Sequence, residues 1–174
     1  MKSAVVFSLC VVSTFVAYAQ QPKNPVSTAL RDAFGNRQKF TVAAIEEMPA
    51  DKFGYKPTPE QMTFGELAAH MVEGNDFFCA YVGDVARPKR DELKGTEGKD
   101  KLVAAVKASF DFCGTALEKA DDSKLGDSVT GFDGKPRLRA WAFLALASSW
   151  ADHYGMAATY LRLNGLLPPT AQKK

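Results

Sequence analysis

LRAWAFLALASSWADHYGMAATYLRLNGLLPP, residues 138–169, is the stretch that decides the fold. It is too long for a strand, and it holds no proline before Pro168-Pro169. Ala142, Leu146, Ser149, His153, Met156, Tyr160 and Leu163 recur at three- and four-residue steps, which is one stripe of an α-helix. Trp141, Phe143, Leu144 and Leu161 cover other faces, so the pattern predicts a largely enclosed helix over about Leu138 to Asn164. Asn164-Gly165 followed by the proline pair is a helix stop: glycine accepts the left-handed cap conformation and proline cannot continue the ladder.

Three shorter patterns of the same period precede it. The first runs from about Val26 to Met48, with Gly35 and Asn36 lowering its intrinsic propensity. Pro49, Pro57 and Pro59 then hold the chain extended. The second runs from Met62 to about Val82, with Phe64, Leu67, Ala68, Met71, Phe78 and Val82 inward. Thr58 or Thr63 caps it, and Glu66, three residues after Thr63, matches a capping box. The third spans about Lys99 to Ala120 on Leu102, Val106, Phe110, Cys113, Leu117 and Ala120. Between the second and third, Arg87 to Lys101 is charged and reads as a solvated loop. Asp121 to Pro136 is too broken for a helix; Asp133-Gly134 is a turn signal and Ser128-Val129-Thr130 is extended. Four helices on loops longer than a minimal bundle needs give an all-α four-helix bundle with long interhelical loops.

The N-terminus assigns a compartment. Met1-Lys2 is followed by an apolar run from Ala4 to Val16 and by Ala17-Tyr18-Ala19, the layout of a secretory signal peptide cut before Gln20. The run is shorter than the roughly 20 residues that span a bilayer. Cys10, inside it, lacks the surroundings of a lipoprotein cysteine. The organisation is therefore 1–19 signal peptide, 20–25 short leader, 26–169 bundle and 170–174 tail, with export to a periplasmic or extracellular space. The 22 basic and 20 acidic residues give a net charge of +2, without the concentrated basic face of a nucleic-acid binder. Two cysteines remain after cleavage. Export permits a bridge between Cys79 and Cys113. Cys113 lies mid-stripe while Cys79 is turned away from its own, which favours two separate thiols.

The chain has only two histidines, His70 and His153, each on a predicted helix. Imidazole is the commonest metal ligand and the usual acid–base group near neutral pH. A lone histidine on an apolar face is most often a core residue; two, on helices that can face each other, point to a site. Gly74, one turn after His70, leaves room beside it. No Glu-x-x-His, His-Glu-x-x-His, nucleophile elbow or phosphate-binding glycine loop occurs. Ser149 and His153 lie four residues apart, but a nucleophile reading lacks oxyanion donors. Trp141, Trp150 and Tyr154 read as packing residues.

Tyr55-Lys56-Pro57-Thr58-Pro59-Glu60, Met62 to His70, His153-Tyr154-Gly155 and Tyr160 to Pro169 together resemble the DinB superfamily, over about Ala29 to Pro169. The resemblance implies a four-helix bundle of that family's own topology, often dimeric. Many members hold a divalent metal, commonly zinc or nickel, through three histidines: one from the second helix and two, four residues apart, from the fourth. His70 and His153 match two of these positions. The third falls at Ser149, a poor replacement for imidazole at a borderline metal. Asp152, Glu66, Glu73, Glu46 and Glu47 are the acidic residues near enough in sequence to be weighed as substitutes. Relatives include thiol-dependent S-transferases and isomerases, and hydrolase-like proteins, in which a metal would activate a bound thiol or water. The expectation is an exported DinB-like bundle with a degenerate metal or ligand site between helices 2 and 4. It would serve an unidentified small molecule or a structural role, and bind no nucleic acid. A metal-dependent enzyme of the S-transferase or hydrolase type is the alternative, and a homodimer is the implied assembly. No catalytic residue is assigned.

Overall fold

The structure, a computed structural model, describes residues 23–172. The signal sequence and its cleavage point lie outside the described residues. Four helices dominate: α1 (Pro25–Glu47), α2 (Phe64–Gly83), α3 (Lys99–Glu118) and α4 (Arg139–Leu163). A small antiparallel hairpin, β1 (Ser128–Thr130) and β2 (Pro136–Leu138), precedes α4, with Val129 opposite Arg137. The extended Ser128–Thr130 and the Asp133-Gly134 turn are thus present, and Gly134 takes the positive φ of 73° that the turn requires.

Both α1 and α2 pack against α3 and α4, so the four helices close into a ring. At one end of the α2/α4 seam the Tyr160 hydroxyl donates to the Met62 carbonyl at 2.7 Å. At the other, the buried Arg139 guanidinium donates to the carbonyl of Tyr81 and to Asp84. Those two ties set α2 and α4 antiparallel and fix their register. The core between the helices is filled by Ile45, Met48, Phe64, Leu67, Leu102, Val106, Phe110, Leu117, Leu146 and Leu161. Every inward residue expected of α2 is buried.

Local chemistry explains the ends. The Thr63 hydroxyl accepts from the Glu66 N–H at 3.1 Å and the Glu66 carboxylate accepts from the Thr63 N–H at 2.6 Å, which completes the capping box. At the far end of α4, Gly165 has φ 76°, the left-handed stop. The start of α1 has no cap of its own. Asp122, 95 residues away, accepts from the N–H and hydroxyl of Ser27 and from the Val26 N–H, supplying the missing carboxylate in trans.

Two expectations change. Cys79 and Cys113 form a disulfide, with Cα atoms 5.1 Å apart. Cys79 lies off the centre of the apolar stripe of α2, but it is fully buried against α3, where Cys113 meets it; spacing along one helix does not show the neighbouring helix. Secondly, α4 is not enclosed. Leu144 is 70 % and Leu163 56 % exposed, because α4 packs mainly against α1 and α2 and leaves part of its surface to solvent. Val26, on the expected stripe of α1, is exposed as well. The charged α2–α3 loop is solvated as expected, with Arg87, Lys89, Asp91, Glu92 and Lys94 exposed, but it is also tied down. Arg90 pairs with the buried Asp76 at 2.6 and 3.2 Å and donates to the Ala108 carbonyl. Gly95 lies so close to the first turn of α2 that a Cβ on Gly65 would stand 2.1 Å from its carbonyl oxygen.

Candidate functional site

The antiparallel register of α2 and α4 brings the two histidines together. Their rings meet edge to face with centroids 5.0 Å apart. His70, on α2, is exposed; His153, on α4, is half-buried. One turn along, Gly74 faces Ser149: a Cβ at Gly74 would meet the Ser149 Oγ at 3.8 Å and nothing closer. The small residue keeps the seam open beside the imidazoles without being required by crowding.

Ser149 Oγ and His153 Nδ1 are 3.0 Å apart, a hydrogen bond within one helical turn. The bond occupies Nδ1 and leaves Nε2 for a ligand. When Ser149 donates, Nε2 carries the proton and is a donor; when Ser149 accepts, Nε2 has a free lone pair. Burial, and the proximity of His70, push the His153 pKa below the ordinary histidine value, so its ring is neutral near pH 7. Among the described residues His70 makes no protein hydrogen bond, which leaves its ring nitrogens to solvent or ligand. The Ser149–His153 pair has the separation of a nucleophile and its base. The backbone N–H groups around it are spent inside α4, so no oxyanion donors accompany it.

The acidic residues weighed as a third ligand are committed or displaced. The hydrogen bonds from the Thr63 backbone and hydroxyl hold the Glu66 carboxyl below its usual range, as part of the helix cap. Glu73 faces Arg87 at 3.8 Å, Glu46 pairs with Lys107, and Glu47 accepts from Gln172 at 3.2 Å. Asp152 is exposed on the outer side of α4. Among the described residues no three His, Cys, Asp or Glu side chains lie close enough to hold a metal ion. Two imidazoles and a serine hydroxyl do not fit the three-histidine donor set.

A hollow of about 670 Å³ opens beside His70, on the side away from His153. Its floor is the α2 face carrying Glu66, His70 and Glu73, and its wall is the tied-down loop, with Arg87, Leu93 and Lys94. The sequence pointed to both histidines but not to this wall. The signal that could have found it is Gly65 with Gly95, two glycines that permit contact between loop and helix. Of the three aromatic residues read as packing groups, Trp150 is buried and donates to Asn75 Oδ1 at 2.8 Å. Tyr154 shares a hydrogen bond with Thr170, and Trp141 remains half-exposed.

The profile of the DinB superfamily matches residues 33–157. Two solved structures are similar in fold. A DinB-like protein from Bacillus subtilis is 19 % identical, with a TM-score of 0.64, over 84 % of this chain and 99 % of that one. A DinB-like protein from Bacillus cereus is 16 % identical, with a TM-score of 0.65, over 82 % and 95 % of the respective chains. No curated protein matches the chain in sequence.

Proposed function

Because the chain belongs to the DinB superfamily, we propose that it is an exported bundle of that family whose metal site has degenerated into a two-histidine site for a small ligand. The observation that carries this reading is the Ser149–His153 hydrogen bond. At the position where the family pattern wants a third imidazole, a neutral hydroxyl binds the second one instead. A site with two strong ligands holds zinc or nickel weakly, since structural and catalytic zinc sites use at least three protein ligands. What remains is a pair of imidazoles that donate and accept hydrogen bonds at the mouth of an open seam. That suits a polar small molecule.

Export is supported by the leader and by the buried Cys79–Cys113 disulfide, a bond that persists in oxidising compartments. Among the described residues no helix is long and apolar enough to cross a membrane. N-terminal sequencing of the protein recovered outside the cytoplasm should begin at Gln20; an intact Met1 there would remove the export reading.

Elemental analysis of protein purified without an affinity tag tests the site. The expected zinc and nickel content is far below one per chain and the same in His70→Ala and His153→Ala variants. One metal per chain, lost in both variants, would replace this reading with the metal-dependent S-transferase or hydrolase alternative.

A further inference from the structure

A second surface, whose rings do not include the histidines but whose rim shares Arg87 and Glu73 with the hollow beside His70, lies in the same α2/α4 region. Phe77 is seven residues beyond His70 on α2, about 10 Å along the axis. Phe132, at the tip of the hairpin, stacks on it with centroids 3.7 Å apart and planes at 17°. Phe78 meets Phe132 edge-on at 5.3 Å, and Trp141 meets Phe78 at 5.4 Å and Phe77 at 6.5 Å. A two-stranded hairpin of three-residue strands does not stand alone, so one face of Phe132 pins it to α2. The ring is nonetheless 58 % exposed. Leu138 and Leu144, three residues either side of Trp141, are 60 % and 70 % exposed and continue the apolar surface along α4.

The rim of this surface is positive. Arg87 lies over Phe77 at 5.9 Å, and Arg137 lies over Trp141 at 5.8 Å. Asp133 serves both Arg137, at 2.9 Å, and Lys135, at 3.9 Å, while Glu73 faces Arg87 at 3.8 Å. Three cations thus share two carboxylates, in exposed pairs that a ligand anion can displace at small cost. Clustered aromatic rings with one open face and a cationic rim fit a flat aromatic anion: the ring lies on Phe132 and Trp141, and the charge reaches an arginine.

We propose that the Phe132–Phe77–Trp141 surface binds a small aryl carboxylate. The probe is 2-naphthoate, titrated into the full mature protein by calorimetry, with cyclohexanecarboxylate as the non-aromatic anion of the same charge. One saturable site is expected for 2-naphthoate. Phe132→Leu, which keeps an apolar contact on Phe77, should weaken it roughly 5- to 10-fold, the value of one aromatic contact, while the protein stays folded by circular dichroism. Arg137→Gln should weaken it by a similar factor, and cyclohexanecarboxylate should bind at least as poorly as the Phe132→Leu variant binds naphthoate. His70→Ala should leave the affinity unchanged. Absence of saturable binding at millimolar 2-naphthoate, equal affinity for the two anions, or a loss in His70→Ala with Phe132→Leu unaffected would each overturn the proposal. The last of these would place the anion at the histidine pair instead.

Discussion

The two sides of α2 are built to different ends. Toward α3 the helix is stapled: Cys79 is bonded to Cys113, the Asn75 amide donates to the Ser109 hydroxyl at 3.0 Å, and Asp76 holds Arg90. Asn75 also accepts from Trp150, so its buried carbonyl is satisfied. Gly83 lets the helices touch; a Cβ there would stand 2.5 Å from the Ala116 carbonyl oxygen. Toward α4, one face away, His70 is exposed, His153 is tied only to a serine on its own helix, and Gly74 is not crowded. A buried polar group left without a partner costs about 1–3 kcal/mol, so a seam made for stability closes its polar groups on one another. The α2/α3 seam does this, and so do the two ends of the α2/α4 seam and its Asn75–Trp150 bond; only the stretch of the α2/α4 seam at His70 and His153 leaves hydrogen-bonding capacity facing outward. The contrast is the physical reason for reading the second seam as a site.

Breaking the staple should give the largest effect. Replacing Cys79 and Cys113 together by alanine is expected to cost about 2–4 kcal/mol and lower the melting temperature by roughly 5–15 °C, read by circular dichroism. A variant that melts like the parent would show that the α2/α3 seam does not depend on the bond. Next is Trp150→Phe, which retains most of the ring but orphans Asn75 Oδ1, at about 1–3 kcal/mol in urea unfolding.

The glycines divide the seams by sign. Gly83→Ala forces a methyl group against α3 and should destabilise by about 1–3 kcal/mol. Gly74→Ala adds a methyl group at ordinary contact distance and gains helix propensity, up to about 1 kcal/mol of stabilisation. Equal signs for the two would erase the distinction between a packed seam and an open one.

The smallest effect concerns pH. Folding favours the neutral form of His153, because burial and His70 lower its pKa. The unfolded chain therefore takes up the proton first, and stability falls as pH drops below the ordinary histidine value of 6.5 toward the lowered one. Urea unfolding at stepped pH should show this decline, and His153→Gln should flatten it. A profile unchanged by the substitution would remove His153 from the account of acid sensitivity.

Much of this was legible in the sequence, for identifiable reasons. Apolar period fixed the four helices to within a few residues, since each carries a long stripe and clear breakers; Thr63 with Glu66 announced a cap, and Asn164-Gly165 a stop. His70 and His153 stood out because they are the only two. The disulfide was misjudged, and Asn75, Ser109 and Asp76 were missed, because their partners lie across a seam that no local periodicity encodes. The outer face of α4 was misread for the opposite reason: Leu144 and Leu163 are apolar, and nothing in their spacing says that no helix covers them. Asp122 capping α1 from 95 residues away, and the loop wall beside His70, depend on tertiary placement alone.

Restoring the missing ligand tests the central claim most directly. Zinc affinity, measured by competition with a chromophoric chelator, should be compared for the parent protein and Ser149→His. Weak binding by the parent is expected. The variant should bind tighter by at least about 100-fold, above the effect of changing an outer hydrogen bond to a ligand, and should lose that gain with His70→Ala. Tight zinc binding by the parent, unimproved by Ser149→His, would contradict that claim.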